Sequence, residues 1–590
     1  MAQLVLVPDA QSSPMSESSL SPVQRLFRLL AAERRDITYL YVYATLAGII
    51  SLSLPLGVQS VIGFVSSGAV STSLVVLIGL IVLGTALVGG LQIMQLHLVE
   101  YIQQRLMARV ALDFAVRLPR VRTEALKGEY LPELMNRLLD VPTLQKGLAT
   151  MLTEFTAAGL QILFGLVLLS FYHPIFIAFG LVLVLLLYAL IAVTGPKGLR
   201  TSIAESQYKY RVVAWLEDVA RTVSTFRLPA RQGLALSRTD DLLNGHLGAR
   251  NSHFHVLVTQ SWGLVVFKTL VTAALLGIGC WLLIDKQLNI GQFVAAEIVI
   301  IVTINAVEKI ILKIDVVYDA LTALDKIGHV LDLEQTTAAH GIAVLPAPDA
   351  PAARLAVDVR GLSYCYPHAT RAVLEQVSFS LSTSEHLALV GDDGSGKTTV
   401  LRLLAGLLSG YTGQVAYAGF SLSDLSPDAL AAAVGDSLAH QHLFSGTVLE
   451  NITLNQPHLT AADAAWAIEL VGLREDLYAR PEGLQTLVGP GYSLGEGASQ
   501  KILLARAVVG RPRLLLLDSL LPASSLAERV RVLRRLVATD LPWNLILTTT
   551  QPELLALLTR VAVLRAGRVV AEGTREELRE SPELLALLRT

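Results

Sequence analysis

The chain has 590 residues, of which 53% are hydrophobic and 16% are charged, a balance that is rare in soluble enzymes and indicates that part of the chain faces lipid. Its formal net charge of -2 gives no reason to expect a nucleic-acid partner. The two cysteines, Cys280 and Cys365, are far apart in sequence, which favours free thiols over a disulfide.

The first predicted elements are a tail and a short basic helix. Residues 1–21 are rich in Ser, Pro and Ala, which predicts a disordered tail. The stretch Pro22–Arg35 is basic and amphipathic. It predicts a helix that lies along the inner membrane surface.

Six long apolar stretches follow, and each is near or above the ~20 residues that cross a bilayer as a helix. Buried helices of a soluble protein can mimic one or two such stretches but not six in succession. The sequence therefore predicts an α-helical polytopic membrane domain over residues 22–332. The stretches are Ile37–Val65, Ser73–Leu96, Met151–Ser170, Pro174–Val193, Gln260–Ile284 and Ile290–Leu312.

The distribution of basic residues predicts the orientation of these spans. Lys and Arg are frequent after the second and fourth spans, whereas the connections Ser66–Thr72 and Tyr172–Pro174 contain neither. The positive-inside rule then predicts that both termini are cytoplasmic. The two basic segments are helical in pattern, so we expect them to extend the membrane helices into the cytoplasm.

Two ionisable residues lie within the predicted spans. Lys268 in the fifth span and Glu297 in the sixth are both expected near mid-bilayer, where an isolated charge costs at least ~2.5 kcal/mol. Either they line a translocation path, or they form a buried pair that holds two helices together. Glu308 is expected near the cytoplasmic end of its span.

The second half of the chain has a different composition. A linker is predicted at residues 333–354, where the sequence LPAPDAPAAR interrupts helical periodicity. Short apolar strands alternate with helical runs over residues 355–590, which predicts an α/β domain with a mainly parallel sheet.

A glycine-rich loop between a strand and a helix indicates nucleotide binding in the stretch His386–Leu407. The pattern G-x-x-x-x-G-K-T is met by Gly391, Gly396, Lys397 and Thr398. Glycines let backbone N–H groups face phosphates, the lysine neutralises phosphate oxygens, and the threonine offers a ligand to Mg²⁺. The alternative is a glycine turn that only joins two packed elements.

Other residues of this region are expected to contact the nucleotide. Gly394, Ser395 and Thr399 belong to the same loop and helix start. Tyr366 lies upstream, where its ring could stack on an adenine or serve as an ordinary strand residue.

With these motifs in order, the chain resembles an ABC exporter half-transporter, in which six membrane helices are fused to one P-loop ATPase domain. The resemblance rests also on LFSGTVLENI at Leu443–Ile452 and YSLGEGASQKILLARAVVGRPRLLLLD at Tyr492–Asp518. Through WLEDVARTVSTF at Trp215–Phe226, the membrane half most resembles the hemolysin-type, or type 1 secretion, group.

The resemblance implies a dimer that holds two ATP molecules with Mg²⁺, the metal being bound by Thr398 and Asp518. It implies coupling helices near Gly128–Leu139 and Val213–Thr222. The implied cargo is a peptide, a protein or another solute. The implied partners are an identical or different second half-transporter and, possible in this group, a periplasmic adaptor and an outer-membrane channel.

The chain departs from the family at its catalytic positions. The position of the catalytic glutamate is Ser519, that of the switch histidine is Thr550, and that of the γ-phosphate-sensing glutamine is Ala439. The histidine and glutamine that follow Ala439 lie close enough to substitute for it. A serine hydroxyl is not a useful base near neutral pH.

The signature motif is also altered, since the family's Leu-Ser-Gly-Gly-Gln corresponds to Leu494–Ala498. Gly495 and Gly497 can still present backbone donors to a nucleotide, but the serine hydroxyl is lost and Glu496 is added. The loop Pro522–Ser525 lacks the aspartate that the family has there. We therefore expect retained ATP binding with slow intrinsic hydrolysis.

Two other functions remain open at this point. One alternative to a homodimeric exporter is that the chain is the degenerate half of a heterodimeric exporter. Alternatively, it is an ATP-binding membrane scaffold or regulator that transports nothing.

Overall fold

The computed structural model divides into two compact units, Met1–Pro119 with Glu129–Leu333, and Arg120–Gly128 with Glu334–Thr590. Residues 1–20 of the predicted tail and most of the predicted linker lie outside the residues that the structure describes. The described residues are 21–66, 72–122, 131–227, 232–335, 345, 354–367, 369–438, 442–490, 492, 494–579 and 581–588.

The first unit is helical, and six of its helical stretches are long and apolar enough to span a membrane, which confirms the predicted six-span domain. Its helices are α1 Pro22–Ala32, α2 Arg34–Ser51, α3 Ser53–Ser66, α4 Thr72–Arg117, α5 Leu131–Met135, α6 Val141–Thr150, α7 Thr156–Tyr172, α8 Ile175–Arg221, α9 Val223–Phe226, α10 Gln232–Ile284, α11 Ile290–Leu312 and α12 Ile314–Leu331.

Local chemistry explains where the first span is interrupted. Proline has no N–H, so Pro55 cannot donate to the carbonyl of Ser51. The α-helix is interrupted at Leu52, whose amide donates to the carbonyl of Ile49, three residues back, at 3.2 Å. The span therefore consists of α2 and α3 in succession.

Three helices are much longer than a bilayer is thick. Helices α4, α8 and α10 have 46, 47 and 53 residues, or about 70–80 Å each at 1.5 Å per residue. The hydrocarbon core is only about 30 Å thick. The prediction that the basic segments continue the membrane helices is therefore confirmed.

The two segments suggested as coupling helices differ in the structure. The described part of the first, residues 131–139, consists of α5 and a 3₁₀ turn over Asn136–Asp140. The second, Val213–Thr222, is the end of α8 and its cap, because no proline or glycine interrupts the helix there. The short separate helix at this point is α9.

The partner of Lys268 is Glu308, at 2.5 Å between Nζ and Oε2, and not Glu297. Helices α10 and α11 run in opposite directions, and Lys268 lies about 24 Å from the end of α10 at 1.5 Å per residue. Glu297 lies only about 10 Å into α11, whereas Glu308 lies about 27 Å into it. The alternative of a Lys268–Glu297 pair is therefore wrong, whereas Glu308 does lie near the end of α11, as expected. Within the described part of the chain, Glu297 has no ion pair.

The second unit is α/β, as predicted, and its main sheet has the order β12-β11-β3-β10-β9-β6 with only β12 antiparallel. A second, antiparallel sheet of order β2-β1-β4-β5 was not predicted. The strands are β1 Val357–Tyr364, β2 Leu374–Leu381, β3 Leu387–Val390, β4 Thr412–Tyr417, β5 Phe420–Ser421, β6 Val434–Ser437, β7 Gly446–Thr447, β8 Leu487–Val488, β9 Leu514–Asp518, β10 Asn544–Thr548, β11 Arg560–Arg565 and β12 Arg568–Thr574.

Helices cover the main sheet on both faces. Alternate residues of one strand point to opposite sides, so Leu515 and Leu517 of β9 enter one apolar cluster while Leu514 and Leu516 enter the other. The helices are α13 Lys397–Leu404, α14 Pro427–Ala433, α15 Val448–Thr453, α16 Ala461–Val471, α17 Arg474–Tyr478, α18 Glu496–Val508, α19 Leu526–Leu536, α20 Pro552–Leu555 and α21 Pro582–Leu588.

Candidate nucleotide site

The candidate site lies at the carboxyl ends of the central parallel strands. Strand β3 is fully buried between β10 and β11 and leads into the glycine-rich loop. Strand β9 ends in Asp518, which is paired in register with Thr548 of β10. Ligands of parallel α/β sheets bind at this edge.

The glycines of the loop are required by its backbone geometry. Gly394 and Gly396 have φ of 77° and 103°, a region that other residues rarely adopt. A Cβ on Gly391 would lie 2.2 Å from the carbonyl oxygen of Leu564. Helix α13 begins directly after Gly396, so its first amides are directed toward the loop.

Lys397 is held by the loop carbonyls. Its Nζ donates to the oxygens of Gly391 at 2.7 Å and Asp392 at 2.8 Å. Burial lowers the pKa of the Lys397 ammonium below its ordinary value, and the carboxylates of Asp393 and Asp518 oppose part of that shift. Phosphate oxygens would replace these two carbonyl contacts.

Both carboxylate oxygens of Asp518 accept hydrogen bonds. Thr398 Oγ1 donates to Oδ2 at 2.7 Å, and Thr548 Oγ1 donates to Oδ1 at 2.8 Å. The Thr548 hydroxyl also accepts from the amide of Ser519 at 2.9 Å. Sequence analysis missed Thr548, although its place at the end of a strand beside Asp518 was a usable signal. The structure thus brings the two predicted metal ligands together.

The residues of this cradle fit a nucleotide with Mg²⁺. Ser395 is 3% exposed, and its buried Oγ has no hydrogen-bond partner within the described structure. Such an atom suits a ligand oxygen, because an unpaired buried hydroxyl is costly. A threonine hydroxyl and a carboxylate are oxygen donors of the kind that Mg²⁺ binds.

Tyr366 lies beside the cradle. Its hydroxyl is 3.2 Å from Thr399 Oγ1, and its ring packs edge-on against Tyr364 with the centroids 5.0 Å apart. The side chain is only partly buried. Part of the ring is therefore accessible, and stacking on an adenine stays a prediction.

Ser519 opens onto a cavity of about 560 Å³ next to Asp518. It is exposed and has a φ of 70°, a left-handed conformation that costs about 1–2 kcal/mol in residues other than glycine. The described residues that line this cavity and carry polar side chains are Ser437, His442, Tyr492, Glu496, Ser499, Gln500, Asp518 and Ser519.

The altered signature motif forms the start of α18. Gly495 caps the helix with a φ of 86°, and Glu496 and Gly497 occupy its first turn. Gln500 Oε1 accepts from the amide of Ala523 at 2.9 Å, which ties the helix to the loop after β9. Glu496 is exposed at the cavity rim.

The resemblance also assigned catalytic roles to the positions of Thr550 and Ala439. Thr550 is exposed and follows the buried end of β10 by two residues. Ala439 and the two residues after it lie outside the described residues. Ser519, at the position where the resemblance implies a carboxylate, carries a hydroxyl.

In comparisons with known proteins, each half of the chain matches a family profile. A family profile described as "ABC transporter transmembrane region" matches residues 37–307, and one described as "ABC transporter" matches residues 374–521. The chain is similar over 95% of its length to a solved "bacterial Atm1-family ABC exporter with ATP bound", with a TM-score of 0.77, 17% identity and 98% of that chain covered. At that identity the likeness concerns the fold.

Two curated relatives are more similar in sequence. The mycobactin import ATP-binding/permease protein IrtB of Mycolicibacterium thermoresistibile is 30% identical over 61% of this chain and 61% of its own length. The alpha-hemolysin translocation ATP-binding protein HlyB of Escherichia coli is 24% identical over 63% of this chain and 52% of its own length. The matches span less than two thirds of either relative.

Proposed function

The chain belongs to the ABC transporters, as a six-helix membrane domain fused to one ATP-binding domain, and from that premise we propose that it is the ATP-binding subunit of a dimeric exporter whose intrinsic hydrolysis is slow. One observation carries the proposal. The phosphate loop and Asp518 are arranged for nucleotide, whereas Ser519 stands beside Asp518 where the catalytic carboxylate belongs.

ATP binding would use the loop between β3 and α13. Lys397 would exchange its two carbonyl contacts for phosphate oxygens, and the amides at the start of α13 would face the phosphates. Thr398 and Asp518 would hold Mg²⁺, which supplies neutralisation of phosphate charge when bound. Tyr366 would offer its accessible ring to the adenine.

Water activation is the weak step of the proposed cycle. Hydrolysis requires a group that orients the attacking water and accepts its proton. Ser519 does not accept a proton at neutral pH, and the loss of general-base catalysis typically lowers the rate by 10²–10⁴. ATP would therefore remain bound for long periods and stabilise the nucleotide-bound state.

The cargo and the direction of transport are proposed by likeness alone. HlyB is described as a translocation protein and IrtB as an import protein, so the relatives differ in direction. The resemblance of the whole chain to exporters favours export of a peptide, protein or other solute across a bacterial inner membrane, with both termini cytoplasmic. A periplasmic adaptor and an outer-membrane channel are proposed partners by the same likeness.

The experiment for this proposal measures ATP affinity and subunit composition together. The protein is purified from its native membrane and titrated with MgATP, with Lys397→Ala as the control for the phosphate loop. We expect binding in the wild type that the variant loses, and a complex with two half-transporter subunits. A single subunit that binds ATP and does not associate would contradict the dimeric transporter and support a membrane scaffold.

The subunit composition also separates the two transporter alternatives. Mass spectrometry of the intact complex shows either two copies of this chain or one copy with a different half-transporter. The second result would support the degenerate half of a heterodimer. In that case the ATP on the partner's phosphate loop would face this chain's altered signature motif. At least one of the two ATP sites would therefore stay incomplete.

A further inference from the structure

A second cavity lies within the membrane unit, where three helical segments meet beyond the predicted spans. Its volume is about 390 Å³, within the range of small-ligand pockets. Its walls come from α5 with the following 3₁₀ turn, from α8 and from α12. The described residues that line it are Glu133, Arg137, Ile203, Gln207, Tyr210, Arg211, Thr322, Asp325, Lys326 and His329.

Lys326 is the residue of this cavity that most favours an anionic ligand. It is partly buried, yet its ammonium contacts the Ser206 hydroxyl and the face of the Tyr210 ring, 3.7 Å from the centroid, and no carboxylate. The nearby carboxylate of Asp140 accepts a hydrogen bond from Tyr210 at 2.6 Å and lies 3.8 Å from Lys209 Nζ, and it makes no direct contact with the Lys326 ammonium. Burial lowers the pKa of Lys326 to about 7, against the attraction of the Asp140 and Asp325 carboxylates, so a contacting anion would favour its charged form.

Two arginines add to this positive charge. Arg137 lines the cavity from the 3₁₀ turn and Arg211 from α8. Arg211 stacks near the Tyr208 ring at 5.1 Å and forms no ion pair within the described residues. One guanidinium group can donate two parallel N–H bonds to a phosphate. Two arginines and a lysine therefore form a suitable phosphate site.

We propose that this cavity binds a small soluble molecule that carries a phosphate group. The carboxylates of Glu133 and Asp325 also line it, so its net positive charge is small and suits a phosphomonoester better than a polyanion. The volume leaves space for a compact organic part beside the phosphate. The proposal does not rest on the transport function proposed above.

The depth of the cavity favours a soluble ligand over a lipid headgroup. Gln207 and Lys326 lie about 20 Å along their helices beyond the predicted span ends at Val193 and Leu312. The polar region of a bilayer extends only about 6 Å beyond each side of the hydrocarbon core. A phospholipid that remained in the bilayer would not bring its phosphate to Lys326.

A bound phosphate would connect segments that are otherwise separate in sequence. Arg137 follows α5, in the segment predicted to couple the two halves of the transporter, whereas Arg211 and Lys326 lie on α8 and α12. Contacts from all three to one ligand would restrict the motion of the first segment. We therefore expect slower amide exchange of residues 131–140 when the ligand is bound.

The test uses the full chain with Lys397→Ala, to weaken phosphate binding at the nucleotide loop, in nanodiscs of neutral phosphatidylcholine. Glycerol 3-phosphate is the probe, and calorimetry measures its affinity. We expect one saturable site per chain, weakened at least about tenfold by Arg211→Gln and by Lys326→Gln, in keeping with the loss of a charge-assisted hydrogen bond. Arg200→Gln, an exposed arginine of the same helix outside the cavity, is the matched control.

Each outcome decides the proposal. Binding that is absent at millimolar probe, or that Arg200→Gln weakens as much as Arg211→Gln, would overturn it. Loss of probe binding in nanodiscs that contain phosphatidylglycerol would assign the site to a lipid headgroup and overturn the soluble ligand. Arg211 is exposed, so Arg211→Gln is expected to fold and decides the matter if Lys326→Gln is unstable.

Discussion

At the scale of single residues, the candidate nucleotide site combines a phosphate loop with Ser519 at the position where the proposed function expects a carboxylate. Asp518 is held by two threonine hydroxyls, one from the start of α13 and one from the end of β10. Ser519 has its amide fixed by the same Thr548 but presents only a hydroxyl to the cavity. With the proposed roles, ATP binding and ATP hydrolysis depend on different residues and can be tested separately.

Thr548→Val tests the hydrogen bonds that hold Asp518. The substitution keeps the shape of the buried side chain but removes the donor to Asp518 and the acceptor for the Ser519 amide. We expect a loss of about 1–3 kcal/mol of stability and weaker Mg²⁺-dependent ATP binding. Thermal unfolding and ATP titration with and without Mg²⁺ measure these effects. The Thr549 hydroxyl accepts from the Gln551 amide and has no other hydrogen bond among the described residues, so Thr549→Val should leave ATP affinity unchanged.

Ser519→Glu tests the missing carboxylate. A glutamate at this position would supply a base beside Asp518, so we expect steady-state MgATP hydrolysis to rise about tenfold or more. Ser519→Gln has the same length without the negative charge and should leave the rate near that of the wild type. Equal rates for both variants would show that the charge at position 519 does not limit turnover.

At the scale of elements, a buried histidine at the start of β3 makes the ATP-binding unit sensitive to acid. Burial, assisted by the charge of Arg354, lowers the pKa of His386 from 6.5 to about 4. Its Nδ1 accepts from the Leu545 amide of β10, a contact that requires the unprotonated nitrogen.

The sign of the pH effect follows from this shift. Between pH 6.5 and 4 the unfolded chain binds a proton that the folded chain does not, so stability falls as the pH falls through that window. The shift is equivalent to about 3 kcal/mol at its full extent. Unfolding monitored by tryptophan fluorescence at pH 7 and pH 4.5 should show a smaller decrease in His386→Gln than in the wild type. An equal decrease in both would exclude His386 as the cause.

Helix packing in the membrane unit offers a matched pair of substitutions on α8. A Cβ on Gly198 would lie 2.4 Å from the Tyr318 ring of α12, whereas a Cβ on Gly195 would lie 3.9 Å from its nearest neighbours. The Tyr318 hydroxyl accepts from Gln260 Nε2 at 2.8 Å, so displacement of the ring also weakens this bond.

We expect Gly198→Ala to lower the stability of the membrane unit by about 1–3 kcal/mol through overpacking. Gly195→Ala should have little effect, because its added methyl group makes only ordinary contacts. Thermal unfolding of the full chain in detergent compares the two. A similar loss in both variants would point to glycine flexibility rather than to the Tyr318 contact.

At the scale of the whole molecule, local sequence patterns predicted most of the architecture. Six apolar stretches and a glycine-rich loop between strand and helix are short-range signals, and both appear as predicted. The contacts that the sequence did not reveal are long-range. The pairing of Lys268 with Glu308 depends on which helices are neighbours and in what register, and the antiparallel second sheet depends on strand pairing across the fold.

The sequence predicted the local part of the candidate site but not its long-range contacts. The loop residues from Gly391 to Thr398 form one local motif, so a single strand–loop–helix unit places them together. Thr548 approaches Asp518 only because β10 and β9 are adjacent in the sheet, which single-sequence periodicity does not reveal. The cavity beside Ser519 likewise collects residues from α18 and from the chain after β9.

The central claim is that this transporter subunit binds ATP well and hydrolyses it slowly. The most direct test is steady-state MgATP hydrolysis by the purified full chain in lipid nanodiscs, with Lys397→Ala as the background control and nucleotide binding measured on the same samples. We predict retained ATP binding with turnover at or barely above that of Lys397→Ala. Turnover in the ordinary range of ABC transporters, abolished by Lys397→Ala, would contradict the claim and show that another residue of the cavity, such as Glu496, activates the water.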